Sequence, residues 1–204
     1  MAIVTSASVN EFFEEVVQDA IRAQGVQASP AAKTYVIGLL ADFAKPQTAA
    51  GQTLERPLTL LLDEALHTVD LAERFEKLRV LGDGVLYSAG FFADHYEARG
   101  VDPGYVHGIG QRAYESAGAL IRRGSSTDVT APQPTDVFGE MASSFHAFVR
   151  IIADVADRTV AHGVATSKGL LKLYERWLRT RSESLADALT THGFVAPRGG
   201  RTLQ

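Results

Sequence analysis

There is no cysteine among the 204 residues, which excludes disulfide frameworks, thiolate metal sites, iron–sulfur clusters and cysteine nucleophiles. Excess positive charge is also lacking. Twenty Lys and Arg stand against 24 Asp and Glu, a net charge of -4, and with a pI near 5.9 this argues against nonspecific nucleic-acid binding by the whole chain. No apolar run approaches the roughly 20 residues of a membrane-spanning helix, and Met1 to Ser8 has neither a basic n-region nor an apolar h-region. A cytoplasmic address is the expectation. The His-Glu-x-x-His, P-loop, Gly-x-Ser-x-Gly and Rossmann fingerprints are missing too.

What is present is an ordinary globular composition, 46% hydrophobic and 22% charged, of a length near the prior for one domain. Apolar residues recur at helical spacing throughout. Ser8 and Glu11 form a capping box ahead of Val9, Phe12, Phe13, Val16, Val17 and Ile21, with Gly25 as the stop. Ser29-Pro30 starts a second helix, and residues 46 to 57 read as a loop. Pro57 opens a third, and Asp70 with Glu73 a fourth, over about residues 71 to 98, that carries Gly82, Gly84 and Gly90. Each interior glycine costs roughly 0.5–1 kcal/mol relative to alanine, so a close-packed neighbour, a kink or room for a ligand must offset them.

Gly100 ends that helix and Asp102-Pro103 begins a fifth, over residues 103 to 123, with Gly108, Gly110 and Gly118. Gly124 to Thr135, rich in Gly, Ser, Thr and Pro, reads as a mobile loop. Asp136 to His162 and Ser167 to His192 complete the pattern, with Gly163 between them and a polar tail over 198 to 204. Leu170, Leu171, Tyr174, Trp177, Leu178, Leu185 and Leu189 form the expected apolar side of the last helix. No alternating strand pattern competes, so the expectation is a single all-α domain of about seven helices.

Chemistry-bearing residues are sparse. Glu64 and His67 have the Glu-x-x-His spacing of di-iron bundles, but no second copy exists. Asp83, Tyr87, Gly90, His95, Tyr105, His107 and Tyr114 lie on the two glycine-bearing helices or at their junction. If those faces meet, they line a cavity for a small polar or planar ligand, or close into a buried network with Asp83 satisfied by a tyrosine. Haem on His95, His107 or His146 is the cofactor alternative, since axial ligation needs one imidazole, although histidines beside phenylalanines more often simply pack. Otherwise no cofactor is implied. No nucleophile adjoins a histidine in a local motif, and the reading leans away from an enzyme.

Residues 150 to 204 hold nine Lys or Arg against five Asp or Glu. Lys168, Lys172, Arg176 and Arg179 fall at helical steps, a positive stripe that could dock an acidic partner or remain a solvated face. A helix-turn-helix regulator would need a basic N-terminal segment, and residues 1 to 50 hold three Lys or Arg against five Asp or Glu.

Leu81-Gly82-Asp83, Leu86 and Gly90-Phe91-Phe92, followed by Gly100, Asp102, Tyr105, Gly110, Ala113 and Tyr114, and later Leu173-Tyr174-Glu175-Arg176-Trp177, resemble a family of uncharacterised bacterial proteins of about 200 residues. The resemblance implies an all-α, cytoplasmic, bacterial protein and brings no activity or catalytic residue with it. The functional expectation is a non-enzymatic interaction or adaptor module, as a homo-oligomer or with a protein partner, acting through a helix face. The alternative is a sensor or carrier that binds a small ligand between the helices at 71–98 and 103–123.

Overall fold

The computed structural model describes residues 6–45, 56–124, 136–162 and 167–193. Of the loops expected over 46–57 and 124–135, residues 46–55 and 125–135 lie outside the described residues, as do the stop at Gly163 and the polar tail over 198–204. Those described form ten α-helices and no strand. They are α1 Ser6–Gln24, α2 Pro30–Phe43, α3 Leu58–His67, α4 Leu71–Phe91, α5 Ala93–Glu97, α6 Pro103–Gly124, α7 Val137–Ser143, α8 Phe145–His162, α9 Ser167–Thr180 and α10 Glu183–Thr191. The all-α class is as expected. No described helix is long and apolar enough to cross a membrane.

Local chemistry sets many of the ends. Ser29 Oγ accepts the N–H of Ala32 at 3.1 Å ahead of Pro30, Asp70 accepts that of Glu73 at 2.8 Å, and Asp136 that of Gly139 at 2.8 Å. Each satisfies a donor that a first helical turn leaves open. Gly25 and Gly100 follow helix ends at φ 61° and 66°, where a side chain would be strained. The start of α1 differs from expectation, since Ser6 precedes the Ser8 box.

Three expected helices are each broken once, which turns about seven into ten. The helix over 71–98 stops at Phe92, whose φ of -127° and ψ of 35° leave the helical region. Gly90 weakens the last turn before it, and Ser88 Oγ, buried 2.7 Å from the Tyr96 hydroxyl, ties α5 back to α4. The helix from Asp136 breaks at Ser144, with φ -107° and ψ 21°. The last breaks at Arg181, a non-glycine residue at φ 52°.

That third break has a packing reason. At about 100° per residue, Leu173 and Leu189 would lie about 160° apart around one continuous helix and could not share a core. With the break they bury together, at 0% exposure, with Trp177 and Leu185. The left-handed Arg181 costs about 1–2 kcal/mol, offset in part by its guanidinium carbon lying 4.7 Å from the Trp177 ring centre.

Contacts divide the chain into two compact units, 1–152 and 153–204. In the first, α4 packs most extensively on α6, with α3 and α7 also against α6 and α1 against α2. Ala65, Leu78 and Ala117 bury at the meeting of α3, α4 and α6, flanked by Phe75, Leu120 and Phe138. In the second, α9 and α10 enclose the Leu173–Trp177 cluster with Val160. Two buried carboxylates brace that unit. Asp154 accepts Arg158 Nε at 2.9 Å and the Ser184 hydroxyl at 3.2 Å, and Asp157 accepts Arg176 Nε at 2.5 Å.

Candidate functional site

The polar centre of the first unit is Asp83, on the face of α4 turned toward α2 and α6. Its Oδ1 accepts the hydroxyl of Tyr35 at 2.6 Å and that of Tyr114 at 2.8 Å. Its Oδ2 accepts Arg79 Nη1 at 2.7 Å, one helical turn earlier. Arg79 is held from its other edge by Glu76, at 2.5 Å and 3.1 Å. Burial pushes the Asp83 carboxyl above its ordinary range, against the phenols and Arg79, which pull it down. Burial, then the Asp83 charge, pushes the Tyr114 and Tyr35 phenols up, so both stay protonated donors. Bonding to Arg79 holds the Glu76 carboxyl below its ordinary value.

The glycines of α4 and α6 make this approach possible. A Cβ on Gly82 would fall 2.7 Å from both Cδ1 and Cε1 of Tyr114. One on Gly110 would strike the Phe145 ring and lie 2.9 Å from Val85 Cγ1. Aromatic rings therefore fill the space beside these two glycines. Among the described residues no buried side-chain nitrogen or oxygen lacks a hydrogen-bond partner. The arrangement is a cross-link of α2, α4 and α6 in which both Asp83 oxygens and both phenols are hydrogen-bonded.

The other residues expected to join Asp83 and Tyr114 are dispersed. Tyr87, half-buried, stands in a column of rings, 4.4 Å from Phe43 and 4.7 Å from Phe91 between centroids. Burial raises its phenol. Gly90 is buried on α4. His95, on α5, is bonded to Arg99 and meets Tyr96 edge-on. Tyr105 is 42% exposed, and its N–H donates to Asp102. His107, on α6, lies against His146 of α8, the ring centroids 4.6 Å apart and the planes at 87°. Burial, then the neighbouring His146, holds His107 below the ordinary imidazole value, while Asp102 acts the other way.

One member of the expected positive stripe turns inward. Arg176 is drawn in to Asp157, its side chain 20% exposed and that of Asp157 7%. A carboxylate that has lost its hydration is strongly destabilising unless a charged partner meets it. Lys172 and Arg179 are exposed, and the side chain of Lys168 lies outside the described residues. Glu64 is taken by Arg56 at 3.1 Å and Lys77 at 3.4 Å, and His67 lies on the surface beside Asp63. No group of three or more His, Asp or Glu among the described residues is placed to hold a metal ion.

Tyr35, Arg79 and Glu76 complete the Asp83 network and belong to none of the motifs in the sequence. The spacing of Glu76, Arg79 and Asp83 by three and four residues could have shown the helical part of it. Nothing local points to Tyr35, 48 residues away. Comparison with protein-family models, curated proteins and solved structures finds no match for this chain.

Proposed function

We propose that the protein is a non-enzymatic helical association module that pairs with a second copy of itself through one face of α9. The observation that carries this reading is a face of α9 about a third of a turn around from its core, with Tyr174 at its edge 5.8 Å from Trp177 between ring centroids. Leu171, Tyr174 and Leu178 are 57%, 36% and 41% exposed, while Leu173 and Trp177 on the same helix are 0% and 3% exposed. The exposed three follow the i, i+3, i+7 spacing of a helix-docking seam. Covering what one such half-buried leucine still exposes is worth about 1 kcal/mol.

The seam suits its own copy. Its three residues are arranged almost symmetrically about Tyr174, so an antiparallel pair across a two-fold axis sets Leu171 of one copy against Leu178 of the other. Lys172, Glu175 and Arg179 border it with both signs of charge, as a self-complementary rim requires. The same reading takes the chain as a cytoplasmic protein of the bacterial group that it resembles. The alternative, a small ligand between α4 and α6, finds less support, because the rings of Tyr114 and Phe145 already occupy the space beside Gly82 and Gly110.

Sedimentation velocity across micromolar concentrations tests the proposal. A dimer that Leu171→Lys with Leu178→Lys converts to a folded monomer is the expected result. A wild-type chain that stays monomeric throughout overturns it, as does a dimer indifferent to both substitutions.

A further inference from the structure

We propose that His107 and His146 form a two-imidazole site for a divalent first-row transition cation with a tetragonal preference, water filling its remaining positions. The first support is distance. A ring nitrogen lies about 1.2 Å from its ring centre, so at a metal–nitrogen bond of about 2.1 Å the cation sits about 3.3 Å from each centre. Where a nitrogen of each ring faces that shared point, two edge-on rings with centres 4.6 Å apart subtend about 90° at the metal, the angle between neighbouring ligands of a square-planar or octahedral ion. A tetrahedral ion would need the rings farther apart, which disfavours zinc.

The second support is availability. Neither imidazole is hydrogen-bonded to another described residue, whereas His95 is tied to Arg99 and His67 to Asp63. No buried polar side-chain atom among the described residues is unpartnered, so the nitrogens of the half-buried His107 reach solvent, as do those of the exposed His146. The two rings come from different helices, α6 and α8, within the first unit, so the site exists only in the folded chain. No third His, Asp or Glu among the described residues joins them. The cation therefore keeps open, water-filled positions and is held less tightly than at a closed site of three or four protein ligands. The inference is independent of pairing through α9.

The experiment titrates Ni²⁺ into the full chain, followed by calorimetry and by the proton resonances of the histidine rings. One Ni²⁺ per chain is expected, with paramagnetic broadening centred on His107 and His146. His107→Gln and His146→Gln should each weaken binding by about tenfold or more, and His67→Gln, on the exposed surface of α3, should leave it unchanged. Ni²⁺ binding that survives both substitutions overturns the assignment. So does broadening centred on any other histidine of the wild-type chain, a readout that depends on no variant, or the lack of any binding at millimolar Ni²⁺.

Discussion

The ring of Tyr114 lies against the backbone of Gly82, and its hydroxyl reaches the next residue, Asp83, at 2.8 Å. One side chain of α6 thus reads two consecutive positions of α4. The glycine lets the ring come close, and the carboxylate gives its polar end a partner inside the core. Neither position is open to change without the other, because a longer approach would leave both the phenol and the carboxylate short of a bond.

Gly82→Ala is therefore expected to destabilise the protein, by about 1–3 kcal/mol, since a methyl group would stand 2.7 Å from two ring carbons of Tyr114. Gly38 offers the control. It lies in the interior of α2 on an exposed face, with nothing within 4 Å of a built Cβ. Gly38→Ala should stabilise by about 0.5–1 kcal/mol. Thermal melts of both variants give the opposite signs, and a stabilising Gly82→Ala would refute the close approach.

Tyr114→Phe and Tyr35→Phe each remove one hydroxyl from Asp83 Oδ1. A bond to a charged acceptor is worth about 1.5–3 kcal/mol, and each variant should lose an amount of that order in urea unfolding. The two losses should not add. With one phenol gone the other still serves Oδ1, but with both gone the carboxylate keeps only Arg79, so the double variant should lose more than the sum. Strict additivity would mean that the two phenols act independently.

The helix ends set by nearest neighbours were legible in the residues, and the breaks were not. Ser29-Pro30, Asp70 and Asp136 cap where expected because a cap needs only its own side chain and the next turn. Phe92, Ser144 and Arg181 interrupt patterns that keep helical periodicity on both sides, and none of them is a proline or glycine. The break at Arg181 is set by tertiary packing, the burial of Leu173 beside Leu189, which no local pattern announces. The candidate site divides the same way. Asp83 and Tyr114 fall in one candidate set because each lies among the glycines of its helix, although the spacing does not say which tyrosine meets Asp83, whereas Tyr35 joins them from 48 residues away.

Arg176 and Lys172 share the stripe that helical spacing predicts, and the structure assigns them different work. Removing Arg176 strands Asp157, whose side chain is 7% exposed. Arg176→Ala should accordingly cost about 3–5 kcal/mol, seen as early loss of amide protection in α9 and α10. Lys172→Glu, on the exposed face, should change stability by less than about 0.5 kcal/mol. Equal effects of the two substitutions would contradict the pairing with Asp157.

His107 should make the fold sensitive to mild acid. Burial, and secondarily His146, depress its folded pKa below the ordinary imidazole value, and Asp102 opposes them. Between the unfolded and folded pKa values the unfolded chain then binds more protons than the native one, so stability rises with pH in that window. This contribution is complete above the unfolded value of about 6.5 and is lost as pH falls through the folded one. His107→Gln removes the titrating group while keeping a polar side chain of similar reach. Its unfolding free energy, measured in urea between pH 7.5 and 5, should decline less than that of the wild type. A wild-type profile no steeper than that of the variant would show that His107 titrates alike in both states.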